Sequence, residues 1–214
     1  MIAVVKGDII ASRKLVDQEK WLLPLKDLLS SWGESPKNWE LVWGDFFQIE
    51  FLHPEEALQK IFEIKALIKK IKPLDNRKRI STIDVRMAVG IGTKSYTGQR
   101  ISESNGSAFV YAGEKFDMLK RENVTMGFKS EWQDFDNEIN LYLKLAGTFM
   151  DKWSVSAAEL IEIVLKNQTI TQEEIGDMLG IKQSGVSGRW NRANVDELLA
   201  VEKMYRKKIK AILK

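Results

Sequence analysis

The chain has 214 residues, a formal net charge of +3 and 44% hydrophobic residues, enough for a buried core without a dominant charge. It has no cysteine, which excludes disulfides and thiolate metal sites, and its one histidine, His53, argues against a zinc site or a Ser-His-Asp triad. No apolar run approaches the roughly 20 residues that span a bilayer, and Met1 leads directly into a predicted strand. These features predict a cytoplasmic protein with no membrane insertion.

The first half of the chain alternates predicted strands and helices. An apolar run predicts a buried strand over 2–7 that Asp8 follows, and apolar residues at helical spacing predict a helix over 17–32, with Pro24 early in it. A hairpin is predicted over 40–51, and a helix begins after His53-Pro54 and continues to residue 71.

Four lysines of this second helix, Lys60, Lys65, Lys69 and Lys70, lie outside its apolar stripe. They predict a solvated face, in preference to a strip that binds phosphate.

The hairpin centres on Gly44-Asp45. Glycine takes a positive φ without strain, so a Gly-led pair between two strands predicts a tight two-residue turn. Such a turn places the Asp45 carboxylate at the hairpin tip.

The remaining elements of the first 153 residues follow in order. The sequence predicts a loop over 73–82, a strand over 84–92, a loop over 95–105, a helix over 108–121, a strand over 124–128 and a linking helix over 134–153. The β-α-β-β-α-β order predicts an α+β, ferredoxin-like sheet with both helices on one face. In that sheet the third strand lies antiparallel beside the first, so Asp8 and Asp45 are expected to meet.

Two neighbouring carboxylates repel, so one takes a proton or a cation lies between them. Mg²⁺ or Mn²⁺ suits such oxygen ligands together with substrate phosphates, and a two-metal site can activate a 3′-hydroxyl. The simpler alternative is that Asp8 caps the following connection and Asp45 serves the turn. The candidate nucleotide-binding residues are Lys6, Arg13, Gly44 and Arg86. The alternative for the three charged residues is that they are ordinary surface charges.

Three motifs resemble the palm domain of class III nucleotidyl cyclases and diguanylate cyclases: Gly7-Asp8-Ile9, Gly44-Asp45 and Val85-Arg86-Met87-Ala88-Val89-Gly90-Ile91-Gly92. The resemblance implies a metal-binding Asp after the first strand, another at the hairpin tip, and a homodimer, because palm domains pair to complete their active sites.

Nearly the whole chain is similar to the SatD family, a family with no settled biochemical activity to carry over. This similarity rests on residues 3–13, on Trp43-Gly44-Asp45-Phe46-Phe47-Gln48 and on residues 101–109.

The cyclase resemblance has gaps. Where cyclases supply an Asn and an Arg for the transition state, this chain has Val110 and Glu114, with Lys115 one position further. Phe46 and Phe47 follow Asp45 in place of the further acids of a diguanylate-type hairpin. The pattern favours a nucleotide-binding sensor over a fast synthase.

Residues 172–192 resemble a helix-turn-helix, with Gly176 where two helices approach and Gly180 at the turn. Arg189 occupies a position that is commonly apolar, and Trp190 is expected to pack instead. The second helix would present six side chains to DNA: Lys182, Gln183, Ser184, Ser187, Asn191 and Arg192. The alternative is a helical interaction module without DNA. A final helix over 195–214 ends in basic residues, which suits phosphate contact and the helix dipole equally.

The sequence thus predicts three parts: a cyclase-like domain over 1–132, a linking helix over 133–153 and a helix-turn-helix domain over 154–214. The expected function is a DNA-binding regulator that senses a nucleotide with Mg²⁺ or Mn²⁺. The alternatives are an enzyme that makes a cyclic or signalling nucleotide and an inactive palm that serves as a dimerisation platform.

Overall fold

The computed structural model describes residues 1–15, 17–42, 44–72 and 83–214. It is an α+β protein with one five-stranded sheet and eight α-helices in those ranges. The elements are β1 (Ile2–Ile10), α1 (Glu19–Ser30), β2 (Trp39–Val42), β3 (Phe46–Phe51), α2 (Ala57–Lys69), β4 (Asp84–Gly92), α3 (Ser107–Glu122), β5 (Met126–Lys129), α4 (Gln133–Met150), α5 (Val155–Lys166), α6 (Gln172–Leu179), α7 (Gln183–Ala193) and α8 (Val195–Ile212). Three 3₁₀ turns, Ser12–Lys14, Pro54–Glu56 and Ile101–Glu103, lie between them.

The strands are ordered β2-β3-β1-β4-β5, and β1 pairs antiparallel with both β3 and β4. The predicted placement of the third strand beside the first is therefore confirmed. Two local predictions are wrong. Pairing with β4 extends β1 to Ile10, so Asp8 lies inside the strand, and Val42 pairs with Phe46, so three residues rather than two separate the paired ends of the hairpin. The predicted loop over 73–82 lies outside the described residues.

Alternation along the central strands gives the sheet two covered faces. Val5 and Val89 point into the main core with the buried residues of α1 and α2, whereas Val4 packs with Ala108 and Ala112 of α3 on the opposite face. A Cβ at Gly90 would lie 2.1 Å from the Ala108 carbonyl oxygen, so the absent side chain is what lets α3 approach β4.

The C-terminal helices α5 to α8 pack against the sheet and the helices that cover it, which we together call the sheet layer. One cluster of buried apolar residues extends through both parts. α5 lies against α2, and α8 lies against α4 and the Pro54–Glu56 turn. Tyr205, fully buried, donates its hydroxyl to the Pro54 carbonyl oxygen, while Trp153 Nε1 donates to the Ala193 carbonyl oxygen at 3.0 Å. Within the described ranges, no helix is both long and apolar enough to cross a membrane.

The predicted solvated lysine face of α2 is wrong at two positions. Lys65 is 0% exposed, and its Nζ lies 2.8 Å from Asp84 Oδ1 and 2.6 Å from Asp151 Oδ1. Lys69, also buried, donates to the Asp151 carbonyl oxygen at 2.7 Å. The junction of α4 and α5 covers this side of α2, a tertiary contact that helical periodicity cannot reveal.

We expect Lys65→Met to lower the free energy of unfolding by about 3 kcal/mol, because it leaves the Asp151 carboxylate without its buried cation and leaves Asp84 with Lys69 Nζ alone, at 3.4 Å. The matched control is Lys129→Met, which removes a half-exposed partner of Glu114 and should cost under about 0.5 kcal/mol. Urea unfolding of both variants measures the difference. Equal losses would mean that the buried network does not contribute as its geometry indicates.

Candidate functional sites

The register of β1 brings the two predicted metal ligands together. Asp8 pairs with Phe46, the residue after Asp45, and the Ile9 N–H donates to the Asp45 carbonyl oxygen at 3.1 Å. The side chains of Asp8 and Asp45 line one cavity of about 310 Å³ at this end of the sheet.

Arg86 of β4 also lines this cavity. It pairs with Asp8 across β1 and β4, and its Nη1 lies 3.7 Å from Asp8 Oδ2, too far for a hydrogen bond. Its Nε is buried and makes no hydrogen bond to the described residues. Because Arg86 lines the cavity and makes no hydrogen bond to Asp8, its guanidinium is suited to an anionic ligand.

The carboxylates repel each other. Burial raises the pKa of Asp8 above its ordinary value, the Asp45 carboxylate raises it further, and the Arg86 guanidinium opposes both effects. A cation between the two carboxylates would remove this repulsion.

The connection after β1 adds backbone donors. Ala11 has φ 61°, ψ 26°, a left-handed conformation that is uncommon for a residue with a Cβ, and the turn from Ser12 follows directly. A left-handed residue followed by a turn is the backbone pattern of nests that bind anions, and we name residues 11–13 the Ala11 concavity. The N–H groups of Ala11, Ser12 and Arg13 make no hydrogen bond to the described residues. The Ser12 hydroxyl donates to Asp45 Oδ2 at 2.9 Å and fixes that carboxylate.

Two further cations line the cavity, Arg13 and Lys120. Lys120 was not among the residues predicted from the sequence. The signal that locates it is its position one helical turn after Phe116, whose ring packs edge-on against Phe46 of the hairpin at 5.5 Å between centroids. That contact is tertiary and was not visible in the sequence.

Lys6 and Gly44 are not among the residues that line the cavity, although Gly44 directly precedes Asp45. The Lys6 ammonium lies beside Gly113 of α3, and burial lowers the pKa of Lys6, an effect that Asp117 partly offsets. Gly44 has φ +91°, so glycine is required at the tip as predicted. The structure therefore groups Asp8, Asp45, Arg13 and Arg86, and leaves Lys6 and Gly44 outside the group.

The donor set suits a hard divalent cation. Two carboxylates are the usual protein contribution to a Mg²⁺ site, with waters and phosphate oxygens as the other ligands. In the part of the chain that the structure describes, no group of three or more acidic or histidine side chains is placed to hold a metal by itself. The pair fits a cation that arrives with a phosphate ligand better than one held by the protein alone.

The second candidate site is formed by α6, α7 and the turn between them. Thr171 caps α6 and exchanges hydrogen bonds with Glu174, and Gly180 at the turn has φ +64°. A Cβ at Gly176 would lie 2.7 Å from the Ile181 carbonyl oxygen, which explains the small residue. Val186 of α7 is fully buried.

The predicted DNA-facing side chains lie on the outer side of α7. Five of the six are exposed and Ser187 is half-buried: Lys182, Gln183, Ser184, Asn191 and Arg192 are the exposed ones. Arg189 does not enter the core; its Nη1 lies 3.8 Å from Glu159 Oε2, while Trp190 packs against the core as expected.

Gln172 is a further residue of this surface that the sequence did not indicate. Gln183 Nε2 donates to Gln172 Oε1 at 2.9 Å, so the first residue of α6 orients the first residue of α7. α7 carries no acidic residue, whereas the exposed Glu173 and Asp177 lie on the α6 side of the turn. The outer side of α7 is therefore the face that suits a polyanion.

The chain matches no protein-family model, and no curated protein shows significant sequence similarity to it.

At pH values above neutral and in the presence of a chelator, we expect Asp8→Asn to raise the melting temperature by on the order of 2 °C. The pKa of Asp8 is raised in the folded state, so ionisation of Asp8 destabilises the fold. This loss of stability is present at pH values above the raised pKa. Arg86, Arg13 and Lys120 face the same cavity from β4, the 3₁₀ turn and α3.

The gain in melting temperature should shrink as the pH falls through the raised pKa of Asp8. It should vanish once Asp8 is protonated in both the folded and the unfolded state. Differential scanning fluorimetry at several pH values measures it, with the exposed Asp177→Asn as the control. A gain that is independent of pH would contradict the assigned repulsion.

Proposed function

We propose that this protein is a cytoplasmic DNA-binding regulator that senses a nucleotide together with Mg²⁺ or Mn²⁺. The observation that carries the proposal is the convergence of Asp8, Asp45, Arg13 and Arg86 on one cavity. Two acids and three cations, with Lys120 the third, line the cavity, and the N–H groups of the lining residues Ala11, Ser12 and Arg13 have no hydrogen-bond partner among the described residues.

This charge pattern suits a polyphosphate better than a neutral ligand. Asp8 and Asp45 would hold the divalent cation, which when bound neutralises phosphate oxygens. Arg86, Arg13, Lys120 and the N–H groups of the Ala11 concavity would contact the remaining phosphate oxygens. The Ser12 hydroxyl keeps the Asp45 carboxylate in place for this role.

The fold supports the same reading. The order β2-β3-β1-β4, with α1 and α2 together against one face, is the arrangement proposed here as ferredoxin-like and similar to a cyclase palm. We assign β5 and α3 as additions to that unit, α6 and α7 as a helix-turn-helix, and the chain to the SatD family on the residues given above.

Two residues of α3, Val110 and Glu114, favour a sensor over a synthase. Val110 is exposed and apolar, and Glu114 is paired with Lys129 at 2.7 Å. Neither lines the cavity, which α3 reaches through Lys120. These positions supply no positive charge to a pentacovalent phosphorus, so binding without rapid turnover is the expected outcome.

DNA binding is supported by the outer side of α7. Gln183, whose amide N–H is engaged by Gln172, keeps its carbonyl oxygen and a second N–H for a base edge, the pattern that pairs with adenine. Lys182 and Arg192 would contact phosphates. A homodimer belongs to the proposal because two-fold readers of this kind bind paired half-sites.

The nucleotide site is tested by thermal unfolding of the full chain with each nucleoside triphosphate, with and without Mg²⁺ or Mn²⁺. One triphosphate is expected to raise the melting temperature by roughly 5 °C at a hundredfold excess over its Kd, and only with metal. Asp45→Asn should abolish the shift and Asp177→Asn should retain it.

Product analysis of the same samples separates sensor from synthase. Unchanged nucleotide supports the sensor, and a cyclic or linked product supports the enzyme. No shift with any triphosphate would overturn the nucleotide proposal and leave a dimerisation platform with a DNA-binding unit.

Duplex DNA binding is measured by fluorescence anisotropy across a salt series. Arg192→Ala is expected to weaken binding about tenfold and to reduce the slope of log K against log salt by about one, because one phosphate contact is lost. Lys144→Ala, an exposed lysine of α4, should change neither quantity. Identical affinities for all three proteins would mean that Arg192 does not contact DNA, and absence of binding by the wild type would point to a helical interaction module without DNA.

A further inference from the structure

A second and larger cavity lies where the sheet layer meets the helix-turn-helix. It measures about 740 Å³ and is lined by α1, by α2 with the two residues that follow Lys70, and by α5 and α6. This volume lies in the range of small-molecule sites, which commonly occur between packed units. It shares no residue with the cavity of Asp8 and Asp45.

The charged side chains around this cavity leave a positive excess. Glu162 already has two cations, Lys70 Nζ at 2.6 Å and Lys166 Nζ at 3.0 Å. Lys20 and Lys72 also line the cavity, are exposed, and have no ion pair with the described residues. Two ammonium groups are thus available to a ligand carboxylate or phosphate.

The floor of the cavity is apolar. Leu67 and Ile71 come from α2, Ile163 from α5 and Leu179 from α6. Pro24 of α1 also lines the cavity. Because proline has no N–H, Pro24 donates no hydrogen bond to the Lys20 carbonyl oxygen one turn earlier. The wall therefore combines an aliphatic surface with lysines at its rim.

We propose that this cavity binds an amphipathic organic acid, with its apolar body on the α2–α5–α6 floor and its anionic group between Lys20 and Lys72. The site bridges the sheet layer and the helix-turn-helix. Leu179 belongs to the first helix of that unit, and Glu159, which also lines the cavity, is the partner of Arg189 on α7. Where DNA binding holds as proposed, occupancy would alter DNA affinity through these two contacts.

The test uses the full chain without DNA or nucleotide, so that it stands or fails separately from the proposed function. Isothermal titration is performed with sodium decanoate and dodecanoate below their micellar concentrations. Decanol, which has the apolar body without the charge, and acetate, which has the charge without the body, are the comparison ligands. Saturable binding of at least one long acid, with neither comparison ligand bound, is the expected result.

Two independent variants locate the site. The double charge reversal Lys20→Glu, Lys72→Glu should weaken binding at least about tenfold, and Ile163→Trp, which fills a half-exposed wall position, should abolish it. Lys26→Glu, an exposed lysine of α1 outside the cavity, should bind like the wild type, as should Asp45→Asn. Failure of both long acids to bind, or equal binding by the wild type and both cavity variants, would overturn the proposal. Circular dichroism of each variant is the check that it is folded.

Discussion

The antiparallel register of β1 with β3 and β4 is the constraint on which the candidate nucleotide site depends. Backbone hydrogen bonding on both edges fixes Asp8 opposite Phe46 on one side and Arg86 on the other. A shift of one residue would turn Asp8 toward the apolar core, where the neighbouring Gly7 has space for no side chain beside Phe47. The cavity therefore follows from pairing and burial along one central strand.

The neighbouring strand β4 connects the site to the rest of the molecule. Asp84 is the first residue of β4 and forms an ion pair with the buried Lys65, which also contacts Asp151 at the end of α4. Trp153, two residues further, donates to the last residue of α7. A chain of specific contacts thus runs from the strand that carries Arg86 to the proposed recognition helix, and it holds the two candidate sites in one packed body.

Much of this arrangement could be predicted from the sequence because it rests on local pattern. The glycine at the hairpin tip and the strand over 84–92 are each specified by their neighbours in the chain. Lys65 and Lys69, Lys120 and Gln172 could not be assigned, because their surroundings come from elements distant in sequence. A lysine outside an apolar stripe faces either water or a buried acid, and only the packing of α4 and α5 on α2 decides between the two.

The most direct test of the central claim is a crystal structure of the chain with Mn²⁺ and the triphosphate that stabilises it, with anomalous data collected at the manganese edge. The proposal predicts an anomalous peak about 2.1 Å from carboxylate oxygens of both Asp8 and Asp45, with the phosphates on the Ala11 concavity. A peak elsewhere, with the nucleotide bound and both carboxylates free of metal, would contradict it.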